Sequence, residues 1–343
     1  MKLLKKLTES FGPSGFEDET RKIVQDELKS LCDKVWVNTL GSVVGFKKGK
    51  GKPSERKKIM LAGHMDEIGF IVTHVDDKTG FIRFTPVGGF DPKTLVCQKV
   101  IVLGKGKNKL HGLLNIAGKP IHVMTPEEAK RPPQLSDFYV DLGLPGKEVA
   151  KKVEVGDPIG WRRDYMEYGN LINCKSMDDR VGVYVMIEAL RKTKGNTHDI
   201  YAVGTVQEEV GLRGATTSAF EIQPDIGIAL DITLAMDTPG SEPHAQVSKL
   251  GDGVTLSLMN GSLISDRELV KEFRKLADTK KIKYQLEILP RGGTDAGAMQ
   301  RTGPGARAIT LSIPTRYTHS VNESVHSGDV KAGIDLLAAY LSR

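Results

Sequence analysis

An unbroken apolar run, Ile200-Tyr201-Ala202-Val203-Gly204-Thr205-Val206, leads through Gln207 onto two adjacent carboxylates, Glu208 and Glu209. Gly195-Asn196 precedes the run and a Gly-containing segment, Gly211 to Gly214, follows it, so the pattern predicts a buried strand bounded by turns. In an open α/β sheet, the loops leaving the C-terminal ends of the strands form the crevice where ligands and reacting groups gather. Two acids at such an end are candidates for chemistry. A Glu-Glu pair alone is more often a surface feature, so the weight falls on what else reaches the same edge.

The chain has 343 residues, enough for a sizeable core and for two domains. With 39% hydrophobic and 27% charged residues it has the composition of an ordinary globular protein. No apolar run approaches the roughly 18 residues of a membrane span, and the start, Met1-Lys2-Leu3-Leu4-Lys5-Lys6, lacks the apolar segment of a secretory signal. The expected location is the cytoplasm, with no membrane partner. Cys32, Cys97 and Cys174 are too few and too scattered for a disulfide frame or a cysteine-rich metal knuckle. The formal charge of +6 raises nucleic acid as a partner, and the densest basic cluster is Lys47 to Lys58. That cluster is rich in Gly and Pro and has no interleaved aromatic to stack on bases, which predicts a solvated hairpin-like loop and no nucleic-acid surface.

Along the chain, Leu3, Leu4 and Leu7 predict a short helix, Phe11-Gly12-Pro13-Ser14-Gly15 breaks it, and a second helix is expected from about Glu17 to Leu31. Strands are expected near 34–37, 42–46 and 58–62, the last leading into Gly63-His64-Met65-Asp66-Glu67. From Gly69 to Arg163 short alternating runs are separated by turn residues, the texture of an inserted all-β module, with a long mobile loop at Lys119 to Ser136. From about Leu171 helix and strand alternate again. A strand from Pro224 to Leu230 is expected to deliver Asp231, Ser265 to Glu268 resembles a capping box, and a strand from Ala308 to Ile313 leads toward His319. The expected domains are 1–68 with 164–343, and 69–163.

Five strand-edge or helix-start positions thus carry metal-competent side chains: His64, Asp178 (followed by Asp179), Glu209, Asp231 and His319. Each alone is more often bland; Asp178-Asp179, for instance, could simply cap a helix. Together, two imidazoles and several carboxylates without a thiolate suit two hydrolytic divalent ions such as zinc, cobalt or manganese.

The segments His64-Met65-Asp66, Met177-Asp178-Asp179-Arg180, Gln207 to Ala215, Ala229 to Thr233 and Arg316 to Ser320 resemble, in order and spacing, the five signature segments of the M42 metallo-aminopeptidases, the TET (tetrahedral) peptidases. Phe11 to Gly15 and Gly292 to Ala296 extend the resemblance over nearly the whole chain. It implies an α/β/α sandwich interrupted by a small PDZ-like β-barrel that serves substrate access and oligomerisation. By the same resemblance Asp178 bridges two metals, zinc or cobalt; His64 and Asp231 complete one site, and Glu209 and His319 the other. Glu208 is the general base and Asp66 orients His64, while Thr294 and Asp295 help line a substrate pocket. Short peptides are the implied substrates, and assemblies from dimers to tetrahedral dodecamers the implied state.

Physical chemistry accommodates the pair at 208–209. Consecutive residues point apart, so Glu209 can face metal while Glu208 faces water and moves a proton. Two alternatives stay open at this point, an amidohydrolase acting on N-acyl amino acids and a binding protein without catalysis. Paired carboxylates also serve glycosidases, but two histidines placed with three acids at strand ends argue against that reading.

Overall fold

A computed structural model describes residues 1–343. Helices α1 (Lys2–Glu9) and α2 (Asp18–Lys29) open the chain. Leu4 and Leu7 of the first, and Ile23, Val24 and Leu28 of the second, are buried at helical spacing. Strands β1 (Lys34–Val37), β2 (Val43–Lys47) and β3 (Lys58–His64) follow.

The next segment contains β4 (Gly69–Val75), β5 (Ile82–Val87), β6 (Gln98–Gly104), β7 (Asn108–Ile116), α3 (Pro126–Lys130), β8 (Phe138–Asp141), α4 (Gly146–Lys152) and β9 (Pro158–Trp161). Its six strands close into a barrel in the order β4-β5-β8-β7-β6-β9, every pair antiparallel. Alternation drives the closure: Val100 and Val102 point inward from β6, and Phe70, Leu114, Ile159 and Trp161 complete the filling. The inserted all-β module is therefore a closed barrel with its own core.

Strands β10 (Met166–Tyr168) and β11 (Leu171–Cys174) return to the main body, followed by α5 (Met177–Lys192), β12 (Asp199–Thr205), α6 (Arg213–Ile222), β13 (Ile226–Leu234), β14 (Val254–Met259) and α7 (Arg267–Lys280). Then come β15 (Tyr284–Ile288), α8 (Asp295–Arg301), β16 (Arg307–Arg316), β17 (Glu323–His326) and α9 (Ser327–Leu341). The main sheet has 11 strands in the order β1-β2-β12-β3-β13-β16-β17-β11-β10, with β14 branching from β16 and β15 pairing with β14. Its centre, β12-β3-β13-β16, is parallel, so the C-terminal ends of these four strands share one edge. One face buries α1, α2, α5, α7 and α9 in the largest apolar cluster, and the other packs α6 and α8 over Met60, Val203 and Ala229. The fold is thus the expected α/β/α sandwich. No helix is long and apolar enough to cross a membrane.

Several local expectations shift. β12 lies between β2 and β3, so the basic segment from Lys48 to Lys57 is a crossover rather than a hairpin loop. Backbone bonds from Lys50 and Gly51 to the Asn196–Thr197 segment tie it down. Helix α7 is capped by Asp266, whose carboxylate accepts the Leu269 N–H; Ser265 instead donates to the Ser257 carbonyl on β14. Tertiary contact has claimed the hydroxyl that a capping box needs. The 119–136 segment holds the one-turn helix α3, closed by a capping box between Thr125 and Glu128. Strands β10, β11, β15 and β17 are too short or too mixed in polarity to announce themselves by periodicity.

Candidate metal centre

Each proposed ligand arrives from a different element at the shared edge. His64 is the last residue of β3, Asp178 lies in the first turn of α5, Glu208 and Glu209 follow β12, and His319 follows β16. Asp231 lies inside β13, three residues before its end, because Ile232 and Leu234 continue the ladder with β16. The strand carries on past the acid rather than terminating at it.

The carboxylate of Asp178 sits between the two imidazoles. Its Oδ1 is 3.0 Å from His64 Nε2 and its Oδ2 is 3.5 Å from His319 Nε2. Glu209 Oε2 is 3.6 Å from His319 Nε2, and Glu208 Oε2 is 3.9 Å from His64 Nε2. Two groups of potential ligand atoms lie within 4.8 Å of one another: His64, Asp178 and Glu209, and His64, Asp179 and Asp231. Asp179, named in the sequence only beside Asp178, joins the second group through its side chain, and a cis peptide bond links it to Asp178.

The rings are oriented by oxygen acceptors. Nδ1 of His64 donates to the carbonyl of Asp66 at 3.1 Å, with Asp66 Oδ1 at 3.5 Å, and Nδ1 of His319 donates to the carbonyl of Gly89 at 2.9 Å. A carbonyl can only accept, so each Nδ1 carries a proton, and Nε2 is the nitrogen each ring turns toward Asp178. The Asp66 carboxylate has further work. Oδ1 accepts the Glu208 N–H at 3.0 Å and Oδ2 accepts the Glu209 N–H at 3.2 Å, while Ser14 Oγ donates to Oδ2 at 2.6 Å. One buried acid thereby fixes the loop that carries both glutamates. Gln207 takes a left-handed φ of 55° there, a conformation that costs a non-glycine residue roughly 1 kcal/mol, and its N–H is held by Glu17 at 3.2 Å.

Two residues support the centre without having been assigned a role from the sequence. Glu323, buried at the start of β17, accepts the N–H of Asp178 at 3.0 Å on one oxygen and that of His319 at 2.8 Å on the other. Asp179 accepts the His64 N–H at 3.1 Å and the Gly182 N–H at 3.0 Å. Below them Lys175 Nζ bonds both oxygens of Glu67, at 2.8 and 2.7 Å, sealing a buried ion pair under the start of α5. Only Asp179 left a trace in the sequence, as the second acid of a pair. Glu323 belongs to none of the quoted segments.

The electrostatics set Asp178 apart from the other acids. Burial opposes ionisation of Asp178, but His319 and His64 outweigh it and hold its carboxyl below the usual range. Burial, reinforced by neighbouring acids, pushes Asp179, Glu208 and Asp231 well above theirs. Glu209 rises to about 7, from burial and then from Asp178. All ion pairs of Asp178, Glu208 and Glu209 are to His64 or His319, and Asp231 has none. A cluster of buried acids countered only by imidazoles has unmet negative charge, and its oxygen and nitrogen donors fit divalent cations.

These groups open into a cleft of about 660 Å³, also lined by Gly89, Ile232, Leu234, Glu287, Leu289, Arg291 and Thr294. Thr294 is buried and its hydroxyl shares a hydrogen bond of 2.8 Å with Thr310 Oγ1. Asp295 lies behind the cleft wall, where its Oδ2 accepts from Thr205 Oγ1 at 2.5 Å.

The model of a family described as M42 glutamyl aminopeptidase matches residues 41–336. A putative aminopeptidase of Acetivibrio thermocellus is 41% identical over 336 residues, covering 98% of this chain and 96% of that protein. The lysyl aminopeptidase of Pyrococcus furiosus is 36% identical over 353 residues, covering 99% and 96%. Among solved structures, the TET1 peptidase of Pyrococcus horikoshii, described as assembling into a tetrahedron or a large octahedral shell, superposes with a TM-score of 0.86 at 29% identity, covering 99% and 98%. Sequence, fold and the set of acids and histidines at one sheet edge agree: the chain belongs to the M42 aminopeptidase family, whose members hydrolyse peptide bonds.

Proposed function

We propose that this protein removes the N-terminal residue from short peptides at a centre of two divalent ions, with Glu208 as general base. The observation that carries the reading is Asp178, whose two oxygens face two different histidines at 3.0 and 3.5 Å, the disposition of a bridging carboxylate. His64 and Asp231 would hold one ion and Glu209 and His319 the other, with Asp178 shared. Bound there, a pair of ions such as zinc or cobalt lowers the pKa of water and polarises the scissile carbonyl.

The remaining steps belong to the chain. The Glu208 carboxylate takes the proton of the attacking water and returns it to the amine that leaves. Its position is set from behind, because Asp66 holds its backbone N–H while the Glu208 side chain stays free of any cationic partner except His64. Asp66 also steadies His64, through its own carbonyl and carboxylate. Thr294 contributes to the cleft wall from its place at the head of α8, and Asp295 supports that wall from behind through Thr205.

The barrel, within residues 69–163, borders the centre through Gly89, and this contact supports a role in shaping substrate access. Leu113, Ile121 and Val123 are exposed apolar residues on the same module, and they support its role in subunit contacts within a homo-oligomer, from dimer to tetrahedral dodecamer. We place the protein in the cytoplasm. The family is described as glutamyl and the Pyrococcus furiosus relative is named lysyl, so kinship leaves the preferred residue open.

The test is hydrolysis of aminoacyl-4-nitroanilides with added zinc or cobalt, wild type beside Glu208→Gln. The expected result is a loss in kcat of roughly 100- to 10,000-fold with metal content unchanged. Equal rates would remove Glu208 from its role. Cleavage of N-acetyl amino acids in place of free-amine substrates would replace the aminopeptidase reading with a deacylase.

A further inference from the structure

One buried acid in the cleft takes no part in the metal centre. Glu287, on the edge strand β15, is 2% exposed and lines the cleft together with Ile232, Leu234 and Leu289. It has no lysine, arginine or histidine partner; Oε2 accepts one hydrogen bond, from Thr255 Oγ1 at 2.8 Å, and Oε1 has none from the protein. A desolvated carboxylate without a counter-charge is unfavourable unless something supplies one.

The surroundings are built for polarity. Thr233 of β13, Ser257 of β14 and Ser312 of β16 surround the same carboxyl; burial is the main influence raising its pKa, and the Thr255 hydrogen bond, with these three hydroxyls after it, counteracts it. The three lie close enough to favour the carboxylate, but none completes a well-aligned hydrogen bond to it or to any other group, so their bonding capacity around this buried acid is largely unspent. Strand register explains the convergence. Ser312 pairs with Asp231, Thr255 with Ser312, and Ser257 with Glu287, so the polar row runs across the sheet from the metal-facing Asp231 to Glu287. Glu287 lines the same cleft as His64, Asp178, Glu208 and Asp231, so a substrate held at the metal centre shares that cleft with this carboxyl.

We infer that Glu287 and its hydroxyl ring form the subsite for the terminal side chain, and that this subsite selects cationic residues, lysine or arginine. The inference rests on the aminopeptidase reading above. An aliphatic stem lies along Ile232, Leu234 and Leu289, and the cationic head, which offers only donors, meets the unpartnered Oε1 and the idle hydroxyls as acceptors. Arg291 borders the cleft too and carries the opposite sign, but it is exposed, so solvent and salt screen it where Glu287 is shielded.

The experiment compares lysyl-, norleucyl- and glutamyl-4-nitroanilide on the metal-loaded full chain, wild type and Glu287→Gln. Norleucine keeps the four-carbon stem and removes the charge. The expected wild-type kcat/KM favours lysyl over norleucyl by roughly 10-fold or more, and Glu287→Gln shrinks that ratio at least about 10-fold. Faster cleavage of the norleucyl or glutamyl substrate by wild type overturns the inference, as does an equal loss on all substrates in the variant. If wild type cleaves no anilide, the aminopeptidase reading fails and thermal shifts with L-lysine and L-norleucine decide the subsite alone. A larger shift with lysine that disappears in Glu287→Gln supports it, and equal or absent shifts overturn it.

Discussion

The carbonyl oxygen of Gly89 accepts the Nδ1–H of His319 at 2.9 Å, joining residues 230 apart in the chain. Gly89 lies between strands of the barrel and His319 at the end of a strand of the main sheet, so the inserted module fixes the tautomer of a candidate metal ligand. The loop is anchored in turn by Phe90, whose ring stacks on Phe70 at 4.6 Å and meets Trp161 edge-on at 5.8 Å.

Replacing Phe90 with alanine is expected to loosen that loop and release His319. Metal affinity should fall roughly 10- to 100-fold, the usual cost of losing an orienting partner. Titration with zinc against a chelating dye reads this directly, and unchanged affinity would show that Gly89 does not orient the ring.

Glu323→Gln turns one of two acceptor oxygens into a donor facing an N–H. The expected outcome is again a roughly 10- to 100-fold weaker hold on metal, with far-UV circular dichroism unchanged. Glu323→Ala should be at least as weak, since both N–H groups of Asp178 and His319 then lose their acceptor.

Gly182 has no room for a side chain. A Cβ there lies 2.3 Å from Asp179 Oδ1 and 2.6 Å from the Leu230 carbonyl. Gly182→Ala is expected to destabilise the fold by about 1 to 3 kcal/mol and to push Asp179 off His64, visible as a lower Tm and weaker metal binding together. A wild-type Tm would mean that α5 shifts freely.

Acid stability should report on Asp237. Burial raises its carboxyl, but the paired Arg316 guanidinium, at 2.9 and 2.7 Å, outweighs burial and holds it below 3.8. The folded chain therefore binds this proton less readily than the unfolded chain, so the pair stabilises above the unfolded value and the benefit fades as pH falls through the folded one. The Tm gap between wild type and Asp237→Asn is expected to be constant above about pH 5 and to close toward pH 3. A gap independent of pH would exclude the linkage.

Thiol labelling separates the three cysteines. Burial pushes the Cys32 thiol up to about 11, Cys174 is buried and also raised, and Cys97 is exposed. Iodoacetamide at pH 8 should modify Cys97 alone, as peptide mass mapping would show; prompt labelling of Cys32 would contradict its burial.

What the sequence determined by itself is the set of local signals: the apolar run before Glu208 and Glu209, the alternating texture of the barrel, and the acids and histidines that follow strands or open helices. These are legible because strand and helix periodicity act over a few residues, and because the parallel strands put their C-terminal ends on one edge. What only the tertiary structure decided is which groups serve that edge from a distance. Glu323 bonds a residue 145 positions away, Gly89 one 230 away, and Thr255 meets Glu287 across 32, and no local pattern encodes such pairings. The same holds for the crossover of the basic segment and for Asp231 lying inside its strand. Strand order settles the first and ladder register the second, and both arise only when separate segments pack against one another.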